Sequence, residues 1–165
     1  MGESYLKTVA SQLNLVSRGV SNTDIILRSE KTNEHIVFPV VPANLMEINS
    51  PQNNNVFNGA TGDLLIMGTM GLRTFKLKSF LPDYIGKYSF QRPQGDNAED
   101  IINFIRHYQD KCEPLRITIV SVTGSVYLNT LVAVDDFSIY RDNTGDWHYE
   151  LSLHEYRKIL GGRLT

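Results

Sequence analysis

The sequence predicts an α+β domain: a mostly antiparallel, sandwich-like β-sheet with one packed central helix and an amphipathic helix at the N-terminus. Three observations carry this. Residues 24–81 hold short runs of branched and aromatic residues punctuated by Asn, Gly and Pro. One clear helical stripe follows, made of Ile101, Phe104, Ile105 and Tyr108. The C-terminal third then returns to β-branched runs with turn signals between them. Strands, one helix, then strands is the order of an α+β fold.

Each element has its own warrant. Leu6, Val9, Ala10 and Leu13 fall at i, i+3, i+4 and i+7, one stripe of a short helix stopped near Gly19. Such a helix is marginal alone in water, so its stripe needs a covering surface. Asp24–Arg28 is a short apolar strand. His35–Val41 is a second, and Pro39 makes it an edge strand or ends it, because proline has no ladder donor. Asn44–Ile48 is a third. Residues 49–62 read as a loop, with Asn53, Asn54 and Asn55 unsuited to a strand interior.

Asp63–Gly68 and Leu72–Leu81 are strands, with Gly68 and Gly71 allowing a bend between them. In the second, Phe75, Leu77 and Leu81 share one side and Thr74, Lys76 and Lys78 the other. An aromatic loop covers 82–95. The central helix opens at Asp96 as N-cap, with Glu99 completing a capping-box pattern, and runs to about Cys112 before Pro114. Leu115–Val122, Val126–Leu128, Leu131–Tyr140 and Trp147–Tyr156 form a meander turned by Thr123-Gly124-Ser125 and by Asp142–Asp146.

Composition bounds the function. At 165 residues the chain fits one domain and can bury a core without a disulfide or metal staple. Its 16 basic and 18 acidic residues leave a net charge of −2, unlike the basic stripe of a dedicated nucleic-acid binder. Cys112 is the single cysteine, so neither an internal disulfide nor a Cys-rich zinc site can form. There is no signal-peptide pattern, and no stretch approaches about 18 apolar residues.

Candidate chemistry is thin. His148, Glu150 and His154 share a strand face, but the two histidines stand about 20 Å apart along it, too far to hold one ion. Asp142–Asp146 lacks the twelve-residue calcium spacing and reads as a hairpin turn. Asp135 and Asp136 would be paired catalytic carboxylates, but adjacent strand residues point to opposite faces, so the two are not expected to converge on one substrate. No phosphate loop or nucleophile elbow occurs, and no motif requires a cofactor. Arg73, Lys76, Lys78, Lys87 and Arg92 bias 73–92 toward positive charge, either as a solvated face or as a contact for an acidic partner.

Three segments together resemble a known family. Phe38-Pro39-Val40-Val41-Pro42-Ala43-Asn44-Leu45 is similar to the opening motif of LysM-containing baseplate hub proteins of contractile phages, defective prophages and phage-tail-like bacteriocins. Met67 through Pro82 is similar to that family's glycine-arginine strand and its Ser-Phe-aromatic-Pro ending. Asp142 through Arg157, closing on His154-Glu155-Tyr156-Arg157, resembles its last hairpin. The resemblance spans about residues 36–158. It divides the chain into an N-terminal arm (1–35), a hub-type domain (36–158) and a tail (159–165) without the LysM module.

The resemblance implies a structural subunit, not an enzyme, linking the central hub and tube to the surrounding baseplate. Implied partners are other tail and baseplate proteins (tube, hub or spike, wedge), with six copies in a ring, no membrane and no specific nucleic acid. The implied location is the virion tail or a phage-tail-like particle, after synthesis in the host cytoplasm. A tail tube or terminator subunit, and a cell-wall glycan-binding module, are the alternatives. Expected partner contacts are the Leu6, Val9, Ala10 and Leu13 stripe, Asn53, Asn54 and Asn55, and Arg73, Lys76 and Lys78.

Overall fold

The structure is a computed structural model and describes residues 23–121, 123–160 and 163–164. Its strands are β1 (Thr23–Ser29), β2 (His35–Val37), β3 (Glu47–Asn49), β4 (Asn55–Gly59), β5 (Gly62–Ile66), β6 (Thr74–Leu81), β7 (Leu115–Ser121), β8 (Val126–Arg141), β9 (Trp147–Glu155), β10 (Ile159–Leu160) and β11 (Arg163–Leu164). Helix α1 spans Ala98–Asp110 between β6 and β7. Seven strands form one antiparallel sheet in the order β2-β1-β7-β8-β9-β6-β3, while β4–β5 and β10–β11 pair as separate hairpins.

Alternation decides which sheet face is buried. Ile25 and Leu27 of β1, Phe75 and Leu77 of β6, Leu115 and Ile117 of β7, and Leu151 and Leu153 of β9 all enter one core. Helix α1 covers that core with Ile101, Ile102, Ile105 and Tyr108. Thr74, Lys76 and Lys78 occupy the opposite face opposite His154, Ser152 and Glu150, as the alternation of β6 predicts.

Several local expectations change. Leu131–Tyr140 and Val126–Leu128 are one 16-residue strand, β8, paired with β7 along its first part and β9 along its second. Bulges near Ile119/Val120 and Val134/Asp136 bend it, so the sequence pattern breaks although the strand does not. The N-cap of α1 is Asn97, not Asp96. Asp96 instead accepts a 2.7 Å hydrogen bond from Val37 N and pins the chain entering α1 to edge strand β2. Phe104 is only partly buried, and Ile102 takes the inner place expected for it. The helix closes at Lys111, before the left-handed Cys112 (φ 52°), one turn earlier than Pro114 alone would dictate.

Residues 49–62 are not a plain loop, since Asn55 begins β4. Nor does residue 35 bound the domain: β1 lies inside the 1–35 segment, yet pairs with β7 from Thr23 to Ser29 and with β2. Loop 82–95 closes the β1–β2 edge. Arg92 N donates to Pro39 O at 2.7 Å, and Gly95 lies so close to Pro39 that a Cβ there would sit 2.5 Å from its Cα. Arg92 and Asp24 form a buried ion pair at 2.9 Å. Burial pushes the Asp24 carboxyl up, against the pull of the guanidinium.

Candidate functional site

Between β3 and β6 the chain leaves the sheet as a two-stranded arm. The β3–β6 ladder runs from Glu47↔Lys76 to Asn49↔Thr74. It continues through Gly71 N to Pro51 O at 2.8 Å, a Gln52–Met70 bridge and Asn53 N to Thr69 O at 3.0 Å, then becomes β4–β5. The Asn54 side chain accepts from Gly68 N at 3.0 Å. Gly68 is required there, because a Cβ would stand 1.6 Å from Asn53 O. The eleven residues from Asn49 to Gly59 give the arm a reach of up to about 30 Å, less a tight turn where Asn54 N bonds to Gln52 O.

Both faces of the arm are apolar. Cross-strand pairing places Phe57, Leu64 and Ile66 on one face and Val56 and Leu65 on the other. Phe57 is 60% exposed, Leu64 63% and Met67 78%. Asp63 is the only charged residue from Ser50 to Leu72. A lone two-stranded hairpin is marginal in water, and large exposed apolar patches mark interaction sites.

An ion-pair clamp fixes the base of the arm to β9. Glu155 accepts from Arg73 N and from the Arg73 guanidinium, both at 3.1 Å, and from Arg157 at 3.2 Å. Arg157 also donates to Gly71 O at 3.1 Å. Burial acts to raise the Glu155 pKa, but the hydrogen bonds from Arg73 and Arg157 outweigh it and bring it down to about 2.

The far end of β6 carries a second clamp. Asp146 is buried in the β8–β9 turn and accepts from Lys87 Nζ at 2.6 Å, Tyr88 OH at 2.6 Å and Asp83 N at 2.9 Å. Burial opposes its ionisation, and these donors win, holding its pKa below the ordinary value. The clamp holds loop 82–95 so that Phe80, Tyr88 and Phe90 pack ring to ring. Tyr84, Ile85, Phe90 and Tyr140 remain exposed at this end. Beside them an open cleft of about 500 Å³ lies between Phe80, Tyr140 and His148, with the Lys78–Glu150 pair along its wall.

Comparison with known proteins gives fold information. No family model matches the chain. No curated protein matches it. Among solved structures it is similar to a chain from the tail of an empty gene transfer agent (GTA) particle, computed with helical refinement and C6 symmetry. The match covers 90% of this chain and 98% of that one, with a TM-score of 0.53 and 12% identity. At that identity the likeness is one of fold.

The residues singled out from sequence scatter across these features. Leu6, Val9, Ala10 and Leu13 lie outside the described residues. Asn53 and Asn54 stitch the arm together, and Asn55 opens β4. Arg73 belongs to the basal clamp. Lys76 and Lys78 line a hollow of about 280 Å³ beside Pro42, Leu45 and Met46. The positive bias of 73–92 does not form one patch, since Arg73, Lys78, Lys87 and Arg92 each pair with an internal carboxylate.

His148 and His154 engage different carboxylates, Asp142 and Asp135. Adjacent Asp135 and Asp136 do not point to opposite faces: the bulge turns Asp135 to His154 while Asp136 stays on that same face, opposite Ser152 and bonded to Ser138. Among the described residues no group of three or more metal-type ligands converges. No helix among them is long and apolar enough to cross a membrane. Sequence reasoning missed the clamp residues Asp146 and Glu155; their signal lay in the Thr-Gly-Asp turn and the closing His-Glu-Tyr-Arg run.

Proposed function

We propose that this chain is a structural subunit of a phage-type tail, repeated around a sixfold axis, and that it carries no catalytic site. The observation that carries this reading is an apolar arm, exposed on both faces, held out from a fold similar to that of a C6-symmetric tail chain. A surface of that kind costs solubility in an isolated subunit and has its use in an assembly. The two clamps fit the role: they spend buried charge on fixing the arm and the aromatic loop, not on activating a nucleophile or a water.

Within the tail we place the chain among the stacked, repeated subunits. The helical and sixfold character of the GTA tail supports that position. A single ring in the baseplate hub is the second reading, favoured by the hub-like motifs across residues 36–158. Partners are then further copies and neighbouring tail proteins, and the location is the tail of a particle assembled in the bacterial host. Locating the chain by cryo-electron microscopy of intact particles, with copy number from quantitative mass spectrometry, tests this. Density in successive rings is expected. Six copies at the tail tip would select the hub reading, and absence from the particle would sink both.

A further inference from the structure

We infer that the arm of one copy docks on the aromatic end of a second copy, head to tail. The inference deepens the tail-subunit reading and rests on it. Strand β6 connects the two surfaces. It leaves the arm at Thr74 and ends at Leu81, next to Phe80 and loop 82–95, about 23 Å away at 3.3 Å per residue. The two exposed apolar surfaces therefore occupy opposite ends of one strand.

Area, charge, shape and symmetry select this pairing. With about 200 Å² for a fully exposed large side chain, the arm presents on the order of 1,000 Å². Split over two faces, each face is comparable to the roughly 300–600 Å² of the largest patch on a typical monomer, and the two together reach the roughly 800 Å² that each partner buries in a stable interface. Asp63 is the only charge on the arm. At the aromatic end Lys87 and Arg141 are already held by Asp146 and Asp83, so neither surface brings a lone cation into the contact. An arm with two apolar faces needs a receiving concavity, and the cleft between Phe80, Tyr140 and His148 opens there.

Arm-to-arm pairing would close at two copies and leave Tyr84, Ile85 and Phe90 uncovered. Head-to-tail docking covers both surfaces and propagates along an axis, as a stacked tail requires.

The test uses the full chain carrying Cys112→Ser, with Leu64→Cys and Tyr84→Cys introduced separately. Mixed and oxidised, the two are expected to form a disulfide-linked pair within elongated assemblies seen by electron microscopy. Neither variant alone is expected to crosslink. Tyr84→Glu in the otherwise native chain is expected to keep its melting temperature while raising the concentration for half-assembly about tenfold or more.

Crosslinking of Leu64→Cys with itself as strong as in the mixture would overturn the docking in favour of arm-to-arm pairing. Assemblies that form without the mixed crosslink would overturn the docking and leave the tail reading standing. A chain that stays monomeric at every concentration would overturn the docking, and its absence from intact particles would overturn the tail reading as well.

Discussion

Leu64 and Leu77 lie thirteen residues apart in strands of the same polypeptide, one 63% exposed and the other fully buried. The arm and the sheet core use the same residue types, alternating with polar residues in β6 and in an unbroken run, Leu64-Leu65-Ile66, in β5. They differ in what covers them. Leu77 faces a layer that α1 closes, whereas Leu64 sits on a ribbon with nothing of its own chain above or below it among the described residues. Hydrophobic content therefore stabilises the fold in one place and leaves the free energy of burial available to a partner in the other.

That contrast can be broken by substitution. Phe75→Ala empties a fully buried site on the core side of β6 and should cost about 3–5 kcal/mol in chemical denaturation. A loss under about 1 kcal/mol would mean that the sheet core is not closed as described. Glu155→Gln keeps the shape of the basal clamp but removes its charge, and should cost about 2 kcal/mol. Because folding lowers the Glu155 pKa to about 2 from 4.5, its contribution is present in full above about pH 4.5 and is lost as pH falls toward 2. The Gln variant should accordingly show a shallower stability loss across that window than the native chain, and parallel acid profiles would remove Glu155 from the account.

Phe104→Ala tests the rim between buried and exposed. Its ring is partly buried beside Tyr108, so the cost should be about half of a core deletion, roughly 1.5–2 kcal/mol. The smallest stability effect belongs to the arm. Leu64→Ser should change unfolding free energy by no more than about 0.5 kcal/mol, yet reduce particle assembly strongly. A large loss of stability in that variant would show that the arm packs on its own domain in solution.

Much of the architecture was legible from local pattern. The alternation of Phe75, Leu77 and Leu81 marked an inward face correctly, because a strand's side-chain period does not depend on context. Pro39 marked the end of edge strand β2 through its missing donor. Half of the arm, residues 49–62, was misread as a loop, since Asn53–Asn55 and the glycines carry turn chemistry, whereas the returning strand was legible as Asp63–Gly68. Only the pairing of 49–59 with 62–74 makes them a ribbon. Asp96 was misassigned as a helix cap because the competing donor, Val37 N, is 59 residues away in sequence. The clamps at Asp146 and Glu155 were missed for the same reason: the turn and the closing run that carry them stand out in the sequence, but their donors Lys87 and Arg73 lie 59 and 82 residues away.

The sequence by itself determined the strand–helix–strand order, the buried face of α1 apart from the exchange of Phe104 for Ile102, and the hairpin turn at Asp142–Asp146. Those follow from periodicity and turn chemistry, which act over a few residues. The tertiary structure alone decided which apolar strands are covered, where the basic residues of 73–92 find their carboxylates, and that β8 runs unbroken through its bulges. Local period fixes which side chains share a face. Whether that face is buried depends on another element arriving from far along the chain, and for β4 and β5 none among the described residues does.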